Sequence, residues 1–105
     1  MYKELSEDKT QQYYSELLNE TLTIAEKRLA SDNTNLWHSV VNQLRDIQEM
    51  IIEKQALQGW EYVYERYTLG TLVVHELSEK DEMYARLSDI FWGAVHYKEL
   101  ENKED

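Results

Sequence analysis

At 105 residues and 42% apolar side chains, the chain has material for one modest core and no second domain. Twenty-one acidic side chains against eleven lysines and arginines give a formal net charge of −10, which repels a phosphate backbone and argues against direct nucleic-acid binding. The absence of cysteine removes disulfides, thiolate metal sites and thiol nucleophiles.

Zero proline and three glycines leave few helix breakers in a chain rich in Leu, Glu, Lys and Gln, so long helices are expected. The polar opening from Met1 to Asp8 lacks the apolar centre of a signal peptide. No run approaches the ~20 apolar residues of a membrane span, so a cytoplasmic protein without membrane contact is expected. The first helix runs from about Ser6 to Ala30: Tyr14, Leu17, Leu18, Thr21, Leu22, Ala25 and Leu29 recur at steps of three and four. Its stop is the cap-forming run Ser31-Asp32-Asn33-Thr34-Asn35.

The second helix, about Asn35 to Lys54, puts Trp37, Val40, Val41, Leu44, Ile47 and Ile51 on one face and is capped by Asn33 or Thr34. A connection over Gln55 to Gly59 leads to a third segment, whose face is Trp60, Val63, Tyr64, Tyr67, Gly70, Val74 and Leu77. The β-branched stretch Thr68 to Val74 has strand character, but a lone strand has no partner in this sequence, and helix is preferred. Ser78-Glu79-Lys80-Asp81 reads as a capping box before a fourth helix with Met83, Tyr84, Leu87, Ile90, Phe91, Ala94 and Val95 inward. The acidic tail from about Glu99 is expected to fray. Together these segments predict an all-α fold, a compact antiparallel bundle of four helices forming a single domain over residues 1–105.

Catalysis finds no constellation. His75-Glu76-Leu77-Ser78-Glu79 opens like a zinc-protease helix, but Glu79 stands where the second histidine is needed. His38, His75 and His96 fall on three different helices with no nucleophile nearby in sequence. The acid pairs Glu16 and Glu20, Glu49 and Glu53, and Glu61 and Glu65 read as solvated helix faces. No glycine-rich phosphate loop occurs. No catalytic residue, metal site or cofactor is expected, and the chain is not expected to be an enzyme.

What remains is the surface. A wheel at 100° per residue groups Tyr62, Leu69 and Val73 opposite the main stripe of the third helix, and sets Trp92 and His96 beside Asp89 on the fourth. Eight tyrosines and three tryptophans against one phenylalanine suit a surface that stays half-buried until a partner arrives. The acidity points to a basic protein partner.

The run Tyr67-Thr68-Leu69-Gly70-Thr71-Leu72-Val73-Val74-His75-Glu76-Leu77, then Glu79-Lys80-Asp81 and a helix opening Met83 to Leu87, resembles a small family of bacterial immunity proteins. That family protects cells against type VI secreted toxins that hydrolyse NAD(P)⁺. Leu22 to Ala30 and Gln43-Leu44-Arg45-Asp46-Ile47 look like its first two helices, so the similarity spans roughly Leu17 to Tyr97. The resemblance implies an α-helical, non-enzymatic antidote that binds the catalytic domain of a cognate toxin and occludes its active site. It supplies no contact residues; the candidate toxin contacts Tyr62, Glu65, Leu69, Glu76, Asp89, Trp92 and His96 rest on wheel geometry. Two other functions fit the composition, an acidic nucleic-acid mimic and a helical adaptor that blocks a basic protein. The second apolar side of the third helix also offers a surface for pairing with its own copy as a homodimer.

Overall fold

The helices start where a short polar side chain can take over an amide left without an intrahelical partner. The computed structural model describes residues 2–56 and 60–102. Thr10 caps α1 (Gln11–Ser31), its hydroxyl accepting from the Tyr13 amide at 3.0 Å, and Thr34 caps α2 (Asn35–Ile47), accepting from the Trp37 amide. After α3 (Trp60–Arg66) and α4 (Leu69–Glu76) comes α5 (Glu82–Val95), where Asp81 accepts from the Met83 amide at 3.0 Å. Asp81, not Ser78, is therefore the cap. Ser78 instead closes the turn before it, its carbonyl accepting from the Asp81 amide.

The first helix begins later than its periodicity suggests, because Leu5–Glu7 forms a separate 3-10 turn closed by Glu4 and Glu7. The second helix extends through Gln48–Glu53 with the wider π hydrogen bonding, as in the Lys54 amide donating to the Glu49 carbonyl. Gln55 then takes a left-handed φ of 49° and ends it. Part of the connection read over Gln55 to Gly59, and the tail beyond Asn102, lie outside the described residues.

Among the described residues the structure is all-α, with five α-helices and no sheet, where a bundle of four helices was expected. The third segment breaks at Tyr67 and Thr68. Gln43 on α2 accepts from the Thr68 amide at 2.8 Å, so that amide does not complete a helical turn, and the Gln43 side-chain amide donates to the Thr68 hydroxyl. One turn deeper on α2, Asp46 accepts two bonds from the Arg66 guanidinium and a third from the Tyr67 hydroxyl. The break resets the helical phase: Leu69 and Val73 are buried and Val74 is exposed, the reverse of a continuous wheel, and Trp60, at the start of α3 and also placed inward by that wheel, is exposed as well. The outer apolar side on which self-pairing was expected does not exist in that form.

α1 packs on α2 and α5, α4 packs on α5 and α2, and α3 leans on α5. The core holds the expected Tyr14, Leu17, Leu18 and Ala25, the α2 stripe from Trp37 to Ile51, and Met83, Leu87, Ile90, Phe91 and Ala94. Each large aliphatic side chain so buried stabilises the fold by about 1.5–3 kcal/mol against exposure. Arg86 is a buried cation on α5, held by Glu82 at 2.8 Å and the Thr21 hydroxyl at 3.2 Å, with its guanidinium over the Tyr2 ring.

The chain ends are tied together. The Glu101 amide donates to the Lys9 carbonyl, the Gln11 amide donates to the Glu101 carbonyl, and Leu5 and Leu100 are both buried. The tail was expected to fray from Glu99; it is instead held through Asn102, which accepts from the Gln12 side chain at 2.9 Å.

Candidate functional site: an aromatic groove between α4 and α5

Large apolar side chains left in solvent on a small acidic bundle mark where a partner can bind. Among the described residues, Trp60, Tyr62, Tyr64, Val74 and Trp92 are the exposed large hydrophobics. Four of them gather on one face. Tyr64 sets its ring edge-on to Phe91 at 5.0 Å, Trp60 stacks edge-on to Tyr64 at 6.0 Å, and Trp92 lies against the His96 ring at 4.4 Å. Between α4 and α5 lies an open groove of about 500 Å³, walled by Tyr64, Val74 and Trp92 and floored by Gly70 and Phe91; Trp60 stands outside it.

The position of Tyr64 follows from the break after Arg66. Val63 and Tyr67 anchor α3 in the core, and the Asp46 bonds to Arg66 and Tyr67 set its exit from that core. The same interactions govern two titrations. Hydrogen bonding from Arg66 holds the Asp46 carboxyl below the usual range, and burial together with the Asp46 bond pushes the Tyr67 hydroxyl up. At the other end of the bundle, the bidentate Arg28 pairing does for Asp81 what Arg66 does for Asp46.

The groove carries little charge of its own. No lysine or arginine lines it, although the Lys9 ammonium stands 5.8 Å from the Trp92 ring. Acids flank it along the chain: Glu61 and Glu65 on α3, Glu76 after His75 on α4, and Glu99, which accepts from His96 Nδ1 at 2.6 Å. Among the described residues, Lys3, Arg28, Arg45, Lys54, Arg66 and Arg86 pair with acids of the chain itself, mostly at the surface, and the net charge of −10 leaves an excess of unpaired acid.

The seven residues placed on the surface by wheel geometry scatter. Trp92 and His96 line the groove together, as a stacked pair. Glu65 and Glu76 are exposed on α3 and α4, and Tyr62 is exposed on α3 but does not line the groove. Leu69 is fully buried, because the break at Tyr67 and Thr68 turns it inward, and it has no surface to offer. Asp89 is half-buried and accepts from the Tyr2 hydroxyl and the Leu5 amide, which makes it the clamp of the N-terminal segment. Wheel geometry missed Tyr64 and Val74, reading both as inward; the phase reset exposes Val74, while Tyr64, on the short α3, is exposed beside a buried Val63.

The three histidines are less scattered than their sequence positions suggest, since His75 and His96 both line the groove with Ser88. No hydrogen bond joins Ser88 to either imidazole among the described residues, so the groove holds no assembled nucleophile and base. The acid pairs are exposed: Glu49 meets Lys54, and Glu20 meets Arg86. No group of three or more potential metal ligands occurs among the described residues. Among the described residues no helix is long and apolar enough to cross a membrane.

Comparison with curated proteins finds no match, and comparison with solved structures finds none. A family model described as Tsi6 matches residues 13–96, which takes in nearly all of α1 and the whole of α2 to α5. On that match the chain belongs to the Tsi6 family: it is a type VI secretion immunity protein that binds its cognate toxin, and it is not an enzyme.

Proposed function

We propose that the cognate toxin hydrolyses NAD(P)⁺ and that this chain silences it by covering its active site with the acidic, aromatic face formed by α3, α4 and α5. Tsi6, for which the family is named, neutralises Tse6, an NAD(P)⁺ glycohydrolase toxin. A cleft that holds a dinucleotide pyrophosphate gathers positive potential from amides and basic side chains. The observation that carries the proposal is the outward excess of acid around an exposed aromatic cluster, the electrostatic and apolar complement of such a cleft. Glu65, Glu76, Trp92, His96 and Tyr62 are the contacts proposed on that face.

The test uses the catalytic domain of the cognate toxin. NAD⁺ turnover by that domain is expected to vanish at a one-to-one ratio with the purified chain, and excess NAD⁺ to slow formation of the complex. A stable complex that still turns over NAD⁺ at the free rate would refute coverage of the active site. A cognate domain that hydrolyses no NAD(P)⁺ would refute the assigned substrate.

A further inference from the structure

We propose that the groove between α4 and α5 receives an apolar side chain carried on a basic segment of the cognate toxin, so that the toxin inserts into the immunity protein at this point. This rests on the toxin-binding function above and names the anchor within it. The exposed apolar rings surround a concavity and do not project as a knob: Phe91 is its floor, and Tyr64, Val74 and Trp92 are its walls. A volume of about 500 Å³ admits a bulky side chain and lies within the range of sites that bury most of their occupant. The groove is open to solvent, and a single aromatic or aliphatic anchor seated in it, closed over by the rest of the partner, is the kind of contact that contributes most to affinity.

Charge selects the occupant. No lysine or arginine lines the groove, and Glu61, Glu65, Glu76 and Glu99 stand on the segments that form its rim. An anchor flanked by lysine or arginine meets attraction from these acids, opposed at the Trp92 wall by the Lys9 ammonium. A second copy of this chain brings its own −10 and meets repulsion, so the groove is assigned to a cationic partner over self-pairing.

Thr71 is exposed on the groove side of α4, and Thr71→Trp fills the space without entering the core. Thr23→Trp places the same bulk on exposed α1, away from the groove. Calorimetric titration against the toxin domain is expected to show at least about 30-fold weaker binding for Thr71→Trp and less than about threefold change for Thr23→Trp. Val74→Asp, at a side chain that is 65% exposed, gives a second route to the same loss should circular dichroism show Thr71→Trp unfolded. Equal affinities of wild type and both groove variants would overturn the inference while leaving toxin binding intact. No binding by the wild type would remove both. Sedimentation of the isolated chain as a dimer that Thr71→Trp dissolves would assign the groove to a second copy and overturn the inference as well.

Discussion

Gly93 and Gly70 are expected to respond in opposite directions to the same substitution. A Cβ built on Gly93 of α5 lies 2.5 Å from Tyr14 Cδ1, closer still to Cε1, and 3.0 Å from Leu5 Cδ2. The Tyr14 ring has no room to retreat: it is fully buried, its hydroxyl donates to the Ile90 carbonyl at 2.7 Å, and the Tyr97 ring sits 5.7 Å away. Alanine in a helix interior gains about 1 kcal/mol over glycine, and overpacking costs about 1–3 kcal/mol. A separation of 2.5 Å places the clash at the upper end, so Gly93→Ala is expected to destabilise by about 2 kcal/mol and to lower Tm by about 10 °C. At Gly70 the added carbon meets Phe91 at an ordinary 3.4 Å, so Gly70→Ala is expected to stabilise by up to about 1 kcal/mol. Thermal and urea unfolding followed by circular dichroism measures both. In a Tyr14→Leu background, where the ring is gone, Gly93→Ala should lose most of its cost. An unchanged cost in that background, or a wild-type melt for Gly93→Ala, would show that the close approach of α1 and α5 is not what requires glycine.

Three further outcomes are expected. Asp46 and Asp81 titrate below the ordinary 3.8 in the folded state, held down by Arg66 and Arg28, so their stabilisation is complete above that value and is lost as the pH falls below it. Melts from about pH 5 to about pH 3 should therefore decline, and more shallowly in Asp46→Asn with Asp81→Asn, since the second change keeps a capping side chain while removing the ion pair. Leu5→Ala, at a side chain 1% exposed, should cost about 2–5 kcal/mol in urea unfolding; a loss under 1 kcal/mol would mean that the N-terminal turn is not part of the core. Association with the toxin domain in stopped flow should slow at least about tenfold between low salt and about 0.5 M, and a salt-independent rate would remove the electrostatic reading of the acidic surface.

Much of the architecture was legible in periodicity alone. The α2 stripe from Trp37 to Ile51 and the α5 stripe from Met83 to Ala94 are buried where a 3.6-residue repeat puts them. The break between α3 and α4 was not legible, because its cause is long-range: no local pattern announces that Gln43 and Asp46 will take the Thr68 amide and the Tyr67 hydroxyl. A wheel carries its phase across any such break, which is why Leu69 was turned outward and Val74 inward, contrary to the structure. The chain ends were misread for a related reason. Leu5 and Leu100 are single apolar residues in polar surroundings, and only the tertiary fold, which joins the segments around Lys9 and Glu101, buries them. Trp92 and His96 were recoverable as a pair because they lie one turn apart on an unbroken helix.

The three bonds accepted by Asp46 give one carboxylate leverage over a recognition surface that it does not touch. Tyr64 belongs to the short helix that those bonds moor to α2, so a change at Asp46 is expected to shift one wall of the groove while the identity of every lining residue is kept. With the groove as the proposed toxin-binding surface, partner preference is then open to retuning from a position outside it, the contact chemistry inherited unaltered.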